Sequence, residues 1–246
     1  MNTVIFTSFF SAKSHPQLGD PHVLGIKSDG TVGSDFSYIE KWYNSVLSLG
    51  LQARIFYDNL PDELVKERAT NKIQFIKVRN ETGLSNNDYR FYCYQEYLER
   101  NSFDAVFMSD CSDVIVKKDP SELFALYPDK KIFACADGMT LMQFPYLQWH
   151  IGHSLADYER FHQNANKWVL INMGVLGMRY EDALTFLGQL NSLRSMIGGT
   201  ANSDMWTGQT VLRYYWQEED LQIGEKVCSR FKGYETERND VFFVHK

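Results

Sequence analysis

The sequence predicts a single α/β domain, a mixed and mostly parallel sheet flanked by helices. Three observations lead to it. Short apolar runs rich in β-formers, such as Thr3–Phe9 and Val106–Met108, alternate with longer segments of helical spacing. At 246 residues the chain is long enough for one large domain with a full core. The run Val106–Met108 then breaks into Ser109-Asp110-Cys111-Ser112-Asp113, which leaves two carboxylates where a buried strand ends. In open α/β sheets that is where ligands bind.

Thr3–Phe9 reads as the first strand. Ser11–Ser34, rich in Gly, Pro, Ser and Asp, has no periodicity and is expected to be a functional or disordered loop. Ser34 or Asp35 could cap a helix running to Leu49, with Tyr38, Trp42, Val46 and Leu49 at helical spacing and Gly50 closing it. Gln52–Asp58 is a second strand, and Pro61–Arg68 a short helix with Pro in its first turn. Lys72–Arg79 alternates as a half-buried third strand. Ser85–Arg100 is a helix with Asn86, Asn87 and Asp88 as capping candidates. Arg90 near its start sits where an acid is favoured, which predicts an anionic neighbour.

After the acidic break, Val114–Val116 resumes the apolar pattern and Ser121–Tyr127 forms a short helix. Lys131–Ala136 is a strand ending at Asp137-Gly138. Met139–Lys167 is the least regular part; it holds Trp149, His150, His153 and His162 without a zinc spacing. Trp168–Met178 is a strand interrupted at Asn172-Met173-Gly174, where the glycine marks either a bulge or a close approach of backbone to ligand. Arg179–Leu193 is a helix, and Asn202 or Ser203 caps another with Asp204 in its first turn and Met205, Gln209 and Leu212 on one side. The chain ends in a final strand, Val241–Lys246.

A net charge of −6 argues against bulk nucleic-acid binding. No apolar run approaches the ~18 residues of a membrane span, and the N-terminus lacks the basic region and cleavage site of a signal peptide. The expectation is a soluble, cytoplasmic protein. Cys93, Cys111, Cys135 and Cys228 are far apart, with no CxxC, and are expected to be reduced, mostly buried thiols. Aromatic residues make up 15% of the chain, enough either to fill the core or to offer rings against sugar faces.

Two carboxylates at a strand end can ligate Mn²⁺ or Mg²⁺, or merely cap a turn. The order of segments favours the first. An apolar strand (VFM), an acidic pair (SDCSD), a second apolar triplet (VIV), an Asp-Pro turn (KKDP) and a short helix (SELFALY) resemble the Asp-X-Asp region of GT-A-fold glycosyltransferases. The pair here is spaced Asp-Cys-Ser-Asp; Ser112 stands where some members, of the form Asp-X-Arg-Asp, have Arg. The resemblance extends to the Arg-bearing helix, the Asn-Met-Gly strand, the Asp204/Gln209 helix and the C-terminal His.

The resemblance implies a GT-A (Rossmann-like) fold in one catalytic domain, 1–246, with a nucleotide-sugar half at about 1–116 and an acceptor half at about 117–246. It implies metal ligation by Asp110, Asp113 and His245, Asp113 foremost. Thr7, Ser8, Arg90, Asp110 and Lys246 would meet a UDP- or GDP-sugar donor. Asn172, Gly174, Trp149 and His150 would meet a glycan acceptor. Asp204, then Asp137, are candidates for the base of an inverting enzyme, with Gln209 also facing the site. His245 lies so near the chain end that it is either frayed or held by the last strand. Two alternatives stand beside this: a non-catalytic nucleotide-sugar or glycan-binding protein on the same fold, and a sugar nucleotidyltransferase. The second usually carries a Gly-rich basic phosphate loop, and the N-terminal loop with Lys13 and Lys27 has no such run.

Overall fold

The computed structural model describes residues 1–11, 36–79, 83–143, 159–160, 163–197, 203–230 and 238–245. Among the described residues ten strands lie in chain order: β1 Thr3–Phe9, β2 Gln52–Tyr57, β3 Ile73–Lys77, β4 Ala105–Ser109, β5 Val114–Val116, β6 Ile132–Thr140, β7 Val169–Arg179, β8 Leu221–Ile223, β9 Cys228–Arg230 and β10 Phe243–His245. The helices are α1 Ser37–Ser48, α2 Asp62–Arg68, α3 Asn86–Leu98, α4 Glu122–Leu126, α5 Tyr180–Ile197 and α6 Asp204–Tyr215.

Seven strands form one sheet in the order β3-β2-β1-β4-β7-β6-β8. Within it β7 alone runs against the others. A smaller sheet, β5-β10-β9, follows from the acidic turn. Both faces of the large sheet are covered, which is why its strands read as continuous apolar runs. Ile5 and Phe9 pack with Ile39, Trp42 and Val46 of α1 on one face. Val4 and Phe6 pack with Phe91, Tyr94 and Leu98 of α3 on the other, together with Phe186, Leu187 and Leu190 of α5.

Local chemistry sets the element ends. At the end of α1, Gly50 takes φ +62°, and the N–H groups of Gly50 and Leu51 bond the carbonyls of Leu47 (3.0 Å) and Val46 (3.1 Å), a left-handed closure that glycine makes cheap. Its start is Phe36-Ser37, with the expected caps Ser34 and Asp35 outside the described residues. Pro61 precedes α2 as its N-cap instead of lying in the first turn. The cap of α3 is Ser85, whose hydroxyl accepts from the Asp88 N–H at 3.1 Å; Asn86 and Asn87 lie inside the helix.

Two expectations are corrected. β6 does not stop at Ala136; it continues through Asp137 and Gly138 to Thr140, with register shifts that let Gly138 adopt φ +70°. Cys135 and Cys228 are not reduced thiols but a disulfide, while Cys93 and Cys111 are free and buried. The partners are 93 residues apart, so spacing carries no sign of the bond. They meet because β9 pairs with β10 and lies against β6. Among the described residues, no helix is long and apolar enough to cross a membrane.

Candidate active site

Residue parity along β4 delivers the first carboxylate. Val106 and Met108 face α3, and Asp110 continues that alternation to form an ion pair with Arg90 of α3. The anionic neighbour expected for Arg90 is thus Asp110. The strand end is pinned from several sides. Thr7 Oγ1 donates to the Ser109 carbonyl at 2.8 Å, Trp42 Nε1 donates to Ser109 Oγ at 2.8 Å, and the Asp110 N–H donates to the Gly174 carbonyl at 2.8 Å. In the turn that follows, the Cys111 thiol donates to the Ser8 carbonyl at 3.1 Å. Burial, with Asp110 next, pushes that thiol's pKa up, so it stays protonated and structural.

The chain re-enters regular structure at Val114, which pairs with His245 in the β5–β10 ladder. His245 is therefore held, not frayed: it is 3% exposed. Its Nε2 lies 3.3 Å from Asp113 Oδ2 and 3.8 Å from Asp110 Oδ2. One ligand atom from each of the three residues falls within 4.8 Å of the others. The two carboxylate side chains are 31% and 38% exposed, so the cluster is closed on the imidazole side and open on the carboxylate side.

Gly174 lines this cluster. A Cβ there would lie 2.5 Å from Asp110 Oδ2 and 2.8 Å from Asn172 Oδ1, and would also collide with His245. Parity along β7 changes here, since Ile171 and Met173 share a face with Leu176 and Met178. Three extra residues have entered the strand here, because β6 steps from Ala134 to Cys135 while its partner steps from Leu176 to Asn172. The bulge and the close approach are thus one feature. It turns the Gly174 N–H to Asn172 Oδ1 at 2.6 Å, and Asn172 Nδ2 donates in turn to Asp137 Oδ1 at 3.0 Å. Asp137, Asn172 and Gly174 form a chain leading to the acidic cluster.

The other expected site residues either have their polar groups engaged within the protein or lie outside the described residues. The Thr7 side chain is fully buried with its hydroxyl donating to the Ser109 carbonyl, and the Ser8 carbonyl accepts from Cys111. Gln209 does not face the cluster: it is buried, accepting from the Ile171 N–H at 3.1 Å and donating to the Ile171 carbonyl at 2.5 Å, which fastens α6 to β7. Asp204 is the first residue of α6, and its side chain, like Trp149, His150 and Lys246, lies outside the described residues.

Sequence reasoning missed two features. Tyr38, read only as part of an apolar stripe, lies beside the acidic turn. Its pKa is pushed up to about 12 by burial first and then by Cys111, against a hydrogen bond with Ser112. Asp88, read as a cap, is a fully buried carboxylate. It pairs with Arg194 at 3.1 Å and accepts from the Ser203 hydroxyl and N–H, each at 3.0 Å. No spacing in the sequence joins residues so far apart.

No protein-family model matches the chain, and no curated protein sequence does. Solved structures resemble it. The galactosyltransferase LgtC, in complex with donor and acceptor sugar analogues, superposes with a TM-score of 0.56 at 13% identity, over 98% of this chain and 86% of that one. An active-site mutant of LgtC gives 0.57 at 12% identity over the same shares. At such identities the likeness speaks for the fold, and the fold is that of GT-A glycosyltransferases.

Proposed function

We propose that this chain is a metal-dependent glycosyltransferase, moving a sugar from a UDP- or GDP-sugar to a hydroxyl of a glycan or other acceptor. The observation that carries this reading is the convergence of Asp110, Asp113 and His245 beside the bare Cα of Gly174, at the carboxyl end of β4. A ligand set of two carboxylates and an imidazole suits Mn²⁺, which prefers oxygen but tolerates nitrogen, better than it suits Mg²⁺. A bound cation would stabilise the charge that grows on the leaving diphosphate, an effect of several kcal/mol. That LgtC was crystallised with sugar analogues supports sugar substrates here as well.

The chain's own residues then have distinct tasks. Arg90 holds Oδ1 of Asp110, leaving Oδ2 turned toward His245. The β5–β10 ladder fixes the imidazole beside Asp113. Gly174 keeps the floor clear of a side chain. Where transfer inverts the anomeric centre, a carboxylate takes the acceptor proton, and it must reach within ~3 Å of that hydroxyl. Asp204 and Asp137 are the candidates for that task, and Asp137 is tied through Asn172 to the cluster.

The test is a panel of nucleotide-sugars screened by thermal shift with and without Mn²⁺, followed by donor hydrolysis with the donor that binds. A Mn²⁺-dependent shift with slow hydrolysis is expected. A shift without any turnover would support the non-catalytic binding reading, and no shift with any donor would remove the proposal.

A further inference from the structure

We propose that Cys135, Cys228 and His245 form a second cation site, one for a thiophilic ion, which the disulfide keeps closed until a dithiol opens it. The sulfurs and an imidazole nitrogen lie within 4.8 Å of one another. All three residues are buried, at 0%, 2% and 3% exposure, and they come from three strands, β6, β9 and β10. Two thiolates and a histidine are a ligand set that Zn²⁺ accepts while keeping a fourth position open. The oxygen-preferring ions suited to the acidic cluster do not compete for it.

The chemistry balances. A dithiol exchanges with the Cys135–Cys228 bond, its own two sulfurs forming the new disulfide and the protein gaining two thiols. A divalent thiophilic ion then displaces both thiol protons to solvent. Two thiolates, one neutral imidazole and one dication sum to zero charge. Neutrality matters here, because Phe133, Val227 and Phe243 belong to the same buried cluster as the two cysteines. The strands stay in place when the bond opens: the N–H groups of Phe242 and Phe243 both bond the Val227 carbonyl at 3.1 Å, and β10 keeps its ladder to β5.

Sharing His245 has a consequence, which rests on the proposed role of the acidic cluster: filling the thiolate site withdraws the imidazole from Asp110 and Asp113. Reduction with a thiophilic ion present then shuts off Mn²⁺ binding.

Cobalt titration of the whole chain tests the site without any turnover assay. The reduced protein is expected to bind one Co²⁺ with a thiolate-to-cobalt charge-transfer band. The oxidised protein should show none. Cys228→Ser should lose the band, and Cys93→Ser/Cys111→Ser should keep it. Absence of the band from the reduced wild type, its survival in Cys228→Ser, or loss of near-ultraviolet circular dichroism on reduction would each overturn the proposal. Bound Mn²⁺, followed by electron paramagnetic resonance, should fall at least tenfold in affinity once Zn²⁺ fills the reduced site. The oxidised protein titrated with Mn²⁺ alone reads the acidic cluster by itself, so its failure there leaves the cobalt result standing.

Discussion

Asp110 and Asp113 differ in what holds them, and their substitutions should differ accordingly. Asp113 is 38% exposed at a turn, and among the described residues its ion-pair neighbour is His245 at 3.3 Å. Asp113→Ala is expected to abolish Mn²⁺-dependent binding of a nucleoside diphosphate while leaving the melting temperature unchanged. Asp110 pairs with a guanidinium that is 8% exposed. Asp110→Ala should lose the same binding and also destabilise the fold by about 1.5–3 kcal/mol, the usual worth of a hydrogen bond to a charged group. Calorimetry and thermal unfolding on the two variants check this; equal melting temperatures would show that Arg90 does not depend on Asp110. Gly174→Ala should fold yet bind Mn²⁺ at least tenfold more weakly, because its Cβ needs the space held by Asp110 and His245. Wild-type Mn²⁺ affinity in that variant would contradict the geometry given for the cluster. At this scale, what the sequence displays is charge out of place. Arg90 near the start of a helix announced an acid, and the acid is Asp110. It does not display pairings across space, so Cys135 with Cys228, and Asp88 with Arg194, could not be read from it.

Elements were legible where one residue type dominates, and less so where the chain departs from its period. The apolar runs of β1, β2 and β4 fixed those strands closely. β6 was read as ending at Asp137-Gly138 because Asp and Gly are strand breakers, yet its bulged register accommodates both. Helix α6 is held by Gln209 on β7 and by Ser203 on Asp88 of α3. Arg194 of α5 closes the same network. Asp88→Ala leaves Arg194 buried without that carboxylate, and breaking a buried pair costs about 3–5 kcal/mol. Urea unfolding should show that loss as a lower midpoint with an unchanged slope. A loss below about 1 kcal/mol, the size of one ordinary hydrogen bond, would mean that Arg194 finds other partners.

At the scale of the molecule, the sequence predicted a mostly parallel sheet but not its order. Strand neighbours are set by which faces close against each other over long separations. The insertion of the reversed β7 between β4 and β6 leaves no local mark. That insertion is what brings Gly174 against Asp110, and the small sheet is what returns His245, from the far end of the chain, to the acidic turn. The central claim is that this assembled cluster binds a divalent cation together with a nucleoside diphosphate. The most direct measurement is calorimetric titration of UDP and GDP into the oxidised protein, with Mn²⁺ and with EDTA, repeated on His245→Ala. Binding of one nucleotide only when Mn²⁺ is present, weakened at least tenfold or ~1.4 kcal/mol by His245→Ala, is the expected result. Binding that is equally strong in EDTA, or unchanged in His245→Ala, would contradict it.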